Sequence, residues 1–429
     1  MEYSFSADVA RQLDEEDELA GFRDRFFIPE INGREAIYLC GNSLGLQPKS
    51  TSQYIEFEMK VWREMAVEGH FRKAEDNWYN YHKPMKGPLS KLVGAREEEV
   101  VPMNNLTTNL HLMMATFYRP TSERFKIICE AGAFPSDQYA IESQVKWHGY
   151  DPETAVVEVK PREGEFTLRD EDILSIIREH GDSTALILFG GLQYYTGQLF
   201  DMAAITKAGH AAGAMVGFDL AHAIGNVPLH LHDWDVDFAV WCTYKYLNSG
   251  PGATSGVFVN ERFADMPDLP RLAGWWGYDE KNRFKMERGF VPDYGANGWR
   301  LANMNILSSA AVKASLHIFN EAGMDKLREK SLRLTAFMEY ILEDIRKDHP
   351  TFRIITPSDP AKRGCQLSVH FQSGSKEVFN SITENSIIAD YRNPDVIRLA
   401  PVPLYNTFMD VFTLGVIIKN TVEQLNVRA

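Results

Sequence analysis

Between about residues 125 and 260 the sequence alternates short apolar runs with helical patterns, and this alternation restricts the fold more than any other feature. The runs are Phe125–Glu130, Ala155–Val159, Ala185–Phe189, Ala214–Asp219, Phe238–Thr243 and Gly256–Asn260. Each is apolar along its length rather than at every second position, the pattern of a strand covered on both faces. Arg169–His180, followed by Gly181, and Met202–Ala212, followed by Gly213, read as intervening helices. Both glycines are placed for a left-handed C-cap. Strand and helix repeated in this way predict an α/β fold with a mostly parallel, layered sheet. Such sheets bind ligands at the carboxyl ends of their strands.

The chain of 429 residues is too long for one small core. After about residue 311 the pattern changes to a helical stretch, Val312–Lys347, two strand-like runs, Phe352–Ile355 and Gln366–Phe371, and a helix over Val411–Leu425. The expected organisation is an N-terminal arm (1–50) packing with a small α+β C-terminal domain (311–429), and a large domain (51–310) between them.

A net charge of −14 disfavours a broad nucleic-acid or anionic-membrane surface, which needs clustered Lys and Arg. Cys40, Cys129, Cys242 and Cys365 are widely separated, which fits neither a disulfide framework nor a zinc site and suits a reducing compartment. The N-terminus lacks the basic and apolar regions of a secretory signal, and no apolar run approaches the roughly 20 residues of a membrane helix. The expectation is a cytoplasmic protein. There is no phosphate-binding P-loop and no strand-linked G-x-G-x-x-G. His230-Leu231-His232-Asp233-Trp234-Asp235 reads as a loop entering the sheet, with no metal expected there, and Met113, Met114 and Phe117 read as a buried helix face.

Two residues carry the chemistry of the predicted strand ends. Asp219 closes the run AMVGFD, and Lys245 closes FAVWCTYK ahead of the Gly-rich stretch SGPGATSG. A lysine at a buried strand end is poorly solvated, which favours its neutral, nucleophilic form. A carboxylate on the neighbouring strand can hold a pyridine nitrogen protonated, the condition for an electron-sink cofactor. Taken alone, a strand-end lysine is usually a solvated surface residue and a strand-end aspartate usually a helix cap.

The surrounding words decide between these readings. They are YLCGNSLGLQPKS (38–50), AFPSDQYAIES (133–143), YYTGQ (194–198), GFDLAHAIGNVPLHLHDWDVDFAVWCTYKYLNSGPG (217–252) and RLAPVPLYN (398–406). Together, over about residues 20–410, they resemble the kynureninase family, fold-type I pyridoxal 5'-phosphate (PLP) enzymes related to the cysteine desulfurases. The resemblance implies that Lys245 is the covalent PLP lysine, that Asp219 pairs with the pyridine nitrogen, and that His222 lines the cofactor. It places Phe134 against the ring face, with Pro135, Ser136 and Asp137 in the same cofactor-binding segment, and makes Tyr244 a phosphate-contacting and proton-transferring group. Leu106 and Thr107 match the phosphate cradle, where Thr107 or Thr108 can cap a helix starting near Asn109. Trp275 and Asn303 match cofactor-site residues expected to come from a second subunit of a homodimer. Gly190 stands where some relatives carry a cofactor-contacting Ser.

The resemblance also implies a substrate-binding set. Arg398 matches the group that grips the substrate α-carboxylate, for which a planar guanidinium fork is suited. Ser43, His70 and Asn303 match positions that contact the aryl part, and a His and an Asn at the latter two favour 3-hydroxy-L-kynurenine over L-kynurenine. The implied activity is hydrolysis of the Cβ–Cγ bond to anthranilate, or its 3-hydroxy form, plus L-alanine, in tryptophan breakdown or NAD synthesis. Two other readings stand beside it. Cysteine desulfuration needs a mobile nucleophilic cysteine, and Cys365 leads directly into the run QLSVHF, which argues for a fixed position. A catalytically dead, cofactor-bound protein would not be expected to retain Lys245, Asp219, Tyr244 and Arg398 together.

Overall fold

The structure, a computed structural model, describes residues 3–428. Its largest sheet holds β1 (Val100–Pro102), β2 (Lys126–Glu130), β3 (Val156–Val159), β4 (Thr184–Gly190), β5 (Met215–Asp219), β6 (Phe238–Trp241) and β7 (Gly256–Val259). The strand order is β1-β7-β6-β5-β4-β2-β3. Neighbours from β6 to β3 are parallel, whereas β7 runs antiparallel to both β6 and β1. The reversal has a local cause: parallel neighbours need a crossover, usually a helix, and Cys242–Ser255 contains none. That connection turns back through left-handed Asn248, Gly250 and Gly252, and it carries Lys245.

The continuous apolar runs are explained by burial on both faces. Ile128, Ile187, Val216, Ala239 and Phe258 enter one core, while Ile127, Leu186, Val240 and Val257 enter the core on the opposite face. Each large apolar side chain removed from water in this way contributes about 1.5–3 kcal/mol. Met113, Met114 and Phe117 belong to the second of these cores, as their spacing suggested.

A second sheet, antiparallel throughout, contains β8 (Phe352–Ile354), β9 (Leu367–Phe371), β10 (Asp390–Arg392) and β11 (Val396–Leu399) in the order β8-β9-β11-β10. Its core gathers Val369 and Ile397 with Phe337 and Phe408, and also Ala10 and Leu13 from the helix Ala7–Glu15. Asp14 on that helix accepts hydrogen bonds from the Phe408 and Met409 amides at 2.7 and 3.0 Å, satisfying N–H groups at the start of Phe408–Arg428.

Several local expectations are corrected. The helical stretch 312–347 is two helices, Ile306–Ala322 and Met324–Asp348, broken at left-handed Gly323. Gly181 is not a left-handed cap; it keeps right-handed angles, and a Cβ there would lie 2.8 Å from that of Ala212, so close packing demands the glycine. Gly213, by contrast, does adopt φ +76°. β6 stops at Trp241, so Lys245 lies on the turn beyond the strand. Strands β1, β10 and β11 and the helix Ser375–Glu384 carried no signal strong enough to be read, the strands because they are only three or four residues long.

The N-terminal segment links these units. Ile37–Tyr38 pairs in parallel with Ile387–Ile388, Cys40 bridges to Ala400, and the Gly45 amide donates to the Tyr244 carbonyl at 2.8 Å. A Cβ on Gly45 would fall 2.3 Å from the Lys245 carbonyl oxygen, so the strap lies flush against the lysine turn. Gly45→Ala should therefore destabilise the protein by about 1–3 kcal/mol, read as a lowered midpoint in denaturant unfolding. An unaltered midpoint would show that the turn yields without strain.

Candidate active site

The carboxyl ends of the central strands converge. Glu130 ends β2, Gly190 ends β4 and Asp219 ends β5, while Tyr244 and Lys245 follow β6. All five line one cavity of about 170 Å³.

Lys245 Nζ lies 2.9 Å from His222 Nε2. Burial, and then the positive charge of Lys245, hold the His222 imidazole well below its ordinary value, so the ring is neutral and accepts from the amine. That tautomer puts the proton on His222 Nδ1, which is buried without a hydrogen-bond partner. The lysine also sits 5.8 Å from the Phe134 ring centroid and 5.9 Å from that of Tyr244. Phe134 is 42% exposed toward the cavity and meets Tyr194 edge-on at 5.2 Å. Burial raises the Tyr244 hydroxyl, which remains a proton donor at neutral pH.

Three acids share the cavity with the amine: Glu130 and Asp219 are buried, and Asp137 is half-buried. Asp219 accepts a 2.7 Å hydrogen bond from the Ala221 amide. Burial raises its carboxyl, and raises that of Asp137 further because Asp219 and Glu130 face it. Burial also pushes Glu130 up to about 7; its two oxygens lie 3.1 and 3.2 Å from the Gly190 amide. A Cβ on Gly190 would fall 3.0 Å from Glu130 Oε1, so the glycine leaves room for that acid where some relatives have Ser. Glu130 escaped the sequence reading, although it closes the apolar run KIICE just as Asp219 closes its own.

Two helix N-termini form another wall. Leu106–Phe117 is capped by Asn105, which accepts from the Thr108 amide at 3.0 Å; this replaces the expected Thr107 or Thr108 cap and start near Asn109. Thr107 Oγ1 lies 2.9 Å from Ser136 Oγ in the first turn of Pro135–Trp147, where Pro135 occupies an initial position that needs no N–H donor. Free amides at helix starts bind anions such as phosphate.

Arg398, on β11, is fully buried and donates from Nη1 to the carbonyl of Tyr194, which lines the cavity. Its Nε and Nη2 reach Asp390 at 3.2 and 2.6 Å. Ser43 donates to Asp390 at 2.9 Å, so the structure puts Ser43 at the Arg398 end of the site. His70, Trp275 and Asn303 are not in this cavity. They line a separate, open one of about 400 Å³ with Val67, Phe71, Tyr79 and Phe284. The 230–235 segment forms a turn before β6, and His232 Nδ1 lies 2.9 Å from Glu99.

A cavity that gathers an amine, an acid cluster, an aromatic face and two helix N-termini could hold PLP, with Asp219 able to meet the ring nitrogen, Phe134 and His222 its faces, Leu106, Thr107 and Ser136 the phosphate, and Lys245 the aldehyde. The fold agrees. The chain superposes on a cysteine desulfurase (CsdA) from Escherichia coli with TM-score 0.75 at 18% identity, covering 95% of this chain and 99% of that one. A cysteine desulfurase from Thermococcus onnurineus gives TM-score 0.74 at 15% identity, covering 91% and 95%. The fold is that of the fold-type I PLP-dependent class.

Sequence comparison narrows the class. The chain is 53% identical to the kynureninase of Flavobacterium johnsoniae over 420 residues, 98% of this chain and 99% of that protein. It is 53% identical to the kynureninase of Myxococcus xanthus over 408 residues, 95% of each. Residues 327–418 match the kynureninase C-terminal domain. The chain belongs to the kynureninase family.

Glu130 supplies a test of the acid cluster in the apoprotein. An acid whose folded value, about 7, exceeds the unfolded 4.5 binds protons more tightly when folded. Stability therefore falls as pH rises from about 4.5 to about 7, by about 3 kcal/mol in full. Glu130→Gln keeps the acceptor for Gly190 and removes this penalty, so the variant should gain stability over the parent at pH 8 and not at pH 4. Denaturant unfolding at the two pH values measures it; equal differences would remove Glu130 as the source.

Proposed function

We propose that the protein hydrolyses the Cβ–Cγ bond of L-kynurenine or 3-hydroxy-L-kynurenine, releasing anthranilate or 3-hydroxyanthranilate and L-alanine, with Lys245 as its central catalytic residue. The observation that carries the residue assignment is the 2.9 Å contact between Lys245 Nζ and neutral, buried His222 beside the acid cluster. PLP, when bound, supplies the electron sink for the α-carbanion. Lys245 takes the substrate α-proton, and His222 orients the amine for that transfer. Asp219 keeps the proton on the pyridine nitrogen, because a buried carboxylate beside that cation is far better paired than one beside other acids. Tyr244, protonated at neutral pH, gives a proton to the oxygen at Cγ as water adds there and recovers one from the added water, so the hydrated carbonyl forms with no net change in protons. Arg398 grips the α-carboxylate.

Cysteine desulfuration is poorly served. Cys365 is fully buried, its thiol is pushed up to about 12 by burial, and its amide is tied to Asn226 at 2.9 Å. A persulfide-forming cysteine must be mobile and ionised. The 3-hydroxylated kynurenine is the favoured substrate, since His70 and Asn303 are polar groups in a cavity otherwise lined mostly by aromatic and aliphatic side chains and can hydrogen-bond a phenol. Four free cysteines suit the reducing cytoplasm.

The active unit is a homodimer with shared sites. Support comes from the separation of His70, Trp275 and Asn303 from the lysine cavity within one chain, and from the exposed apolar surface around them. Val67, Phe71, Trp275 and Phe284 are each 45–65% exposed, and contiguous apolar surface of this kind marks an interface. One experiment tests both lysine and sharing. Lys245→Ala alone should lose nearly all turnover, as should Trp275→Ala/Asn303→Ala. Mixed and reassembled, half the dimers are hybrids with one intact site each, so about one quarter of parental activity should return. Turnover by Lys245→Ala, or no recovery on mixing, would refute the respective assignment.

A further inference from the structure

The carboxylate subsite contains more than the one arginine. Asp390 on β10 lies directly across from Arg398 on β11 in the antiparallel register. Both its oxygens are engaged by Arg398, at 3.2 and 2.6 Å, and again by Arg392, at 2.8 and 3.1 Å, while Ser43 donates to it at 2.9 Å. A guanidinium carries five N–H donors. On Arg398, the Nε donor and one on Nη2 are spent on Asp390, one on Nη1 is spent on the Tyr194 carbonyl, and Ser43 Oγ lies a distant 3.4 Å from Nη2. What remains is one N–H of Nη1, with the second Nη2 N–H held only by the long contact to Ser43, beside Tyr194, a wall of the lysine cavity.

We propose that Asp390 is the positioning residue of the carboxylate subsite: it fixes Arg398 through the Nε–Nη2 side, presents the Nη1–Nη2 edge to the substrate α-carboxylate, and is itself counterbalanced by Arg392. The inference rests on the assignment of Arg398 to that carboxylate. Charge and burial both support it. Arg398 is 1% exposed, and a guanidinium buried without a carboxylate is strongly destabilised. Asp390 alone would leave the pair neutral, with no attraction for an anion. Arg392 restores a net single positive charge, which an incoming carboxylate neutralises. The two arginines also stand 5.8 Å from the same Tyr194 ring, so they address one side of the cavity.

The test uses the PLP-loaded enzyme and two probes: the amino-acid substrate, and its decarboxylated amine as a competitive inhibitor. Asp390→Asn, which keeps the shape and removes the charge, should raise KM for the amino acid about tenfold and leave the inhibition constant of the amine unchanged. An unchanged KM, or equal weakening of both probes, overturns the proposal; the second pattern is that of a merely structural residue. Arg398→Ala run in parallel should raise KM about 10- to 100-fold with the amine unaffected. If it does not, the arginine assignment fails by itself, whatever Asp390→Asn shows. Should Asp390→Asn not fold, Arg392→Gln on the half-exposed side of the cluster reads the same subsite, and the same two patterns decide.

Discussion

Everything at the active site depends on a parallel sheet delivering several strand ends to one place. Backbone direction alone puts Glu130, Gly190 and Asp219 side by side, and the helix-free return from β6 to β7 adds Lys245. The result is electrostatically unbalanced by itself. Three carboxyls share the space with one half-buried amine, and desolvation raises all three acids. A cation entering this space would be met by carboxyls that burial otherwise holds toward their neutral forms.

The charged groups of the second sheet solve the opposite problem. Arg398 is a buried cation, and Asp390 engages it through its Nε and Nη2. Cross-strand register makes this possible, because β10 and β11 set the two residues opposite each other without any loop to adjust. Arg398 and Lys245 are thus both carried by rigid elements: a strand paired on both sides, and a turn at a strand end.

Much of this was legible from sequence, for identifiable reasons. The central strands announce themselves because burial on both faces demands unbroken apolar runs, and Asp219 stands out as the polar residue that ends one. Glu130 follows the same grammar but lies outside the motifs of the resemblance, so nothing drew attention to it. Asp390 could not be read, since its meaning lies in pairing with a residue eight positions away across a hairpin of three- and four-residue strands. The cap falls on Asn105 rather than a threonine because both residue types cap well and only backbone geometry selects among the three positions. Gly181 and Gly213 look alike in sequence, yet one serves packing and the other torsion.

The strap formed by residues 40–45 is anchored at both ends: Cys40 to Ala400 of the second sheet, and Gly45 to the lysine turn. A tether of fixed span acts as a ruler between the two halves of the site. A change of length there would move the second sheet relative to the lysine turn, so the spacing between Arg398 and Lys245 is held partly by backbone outside either residue.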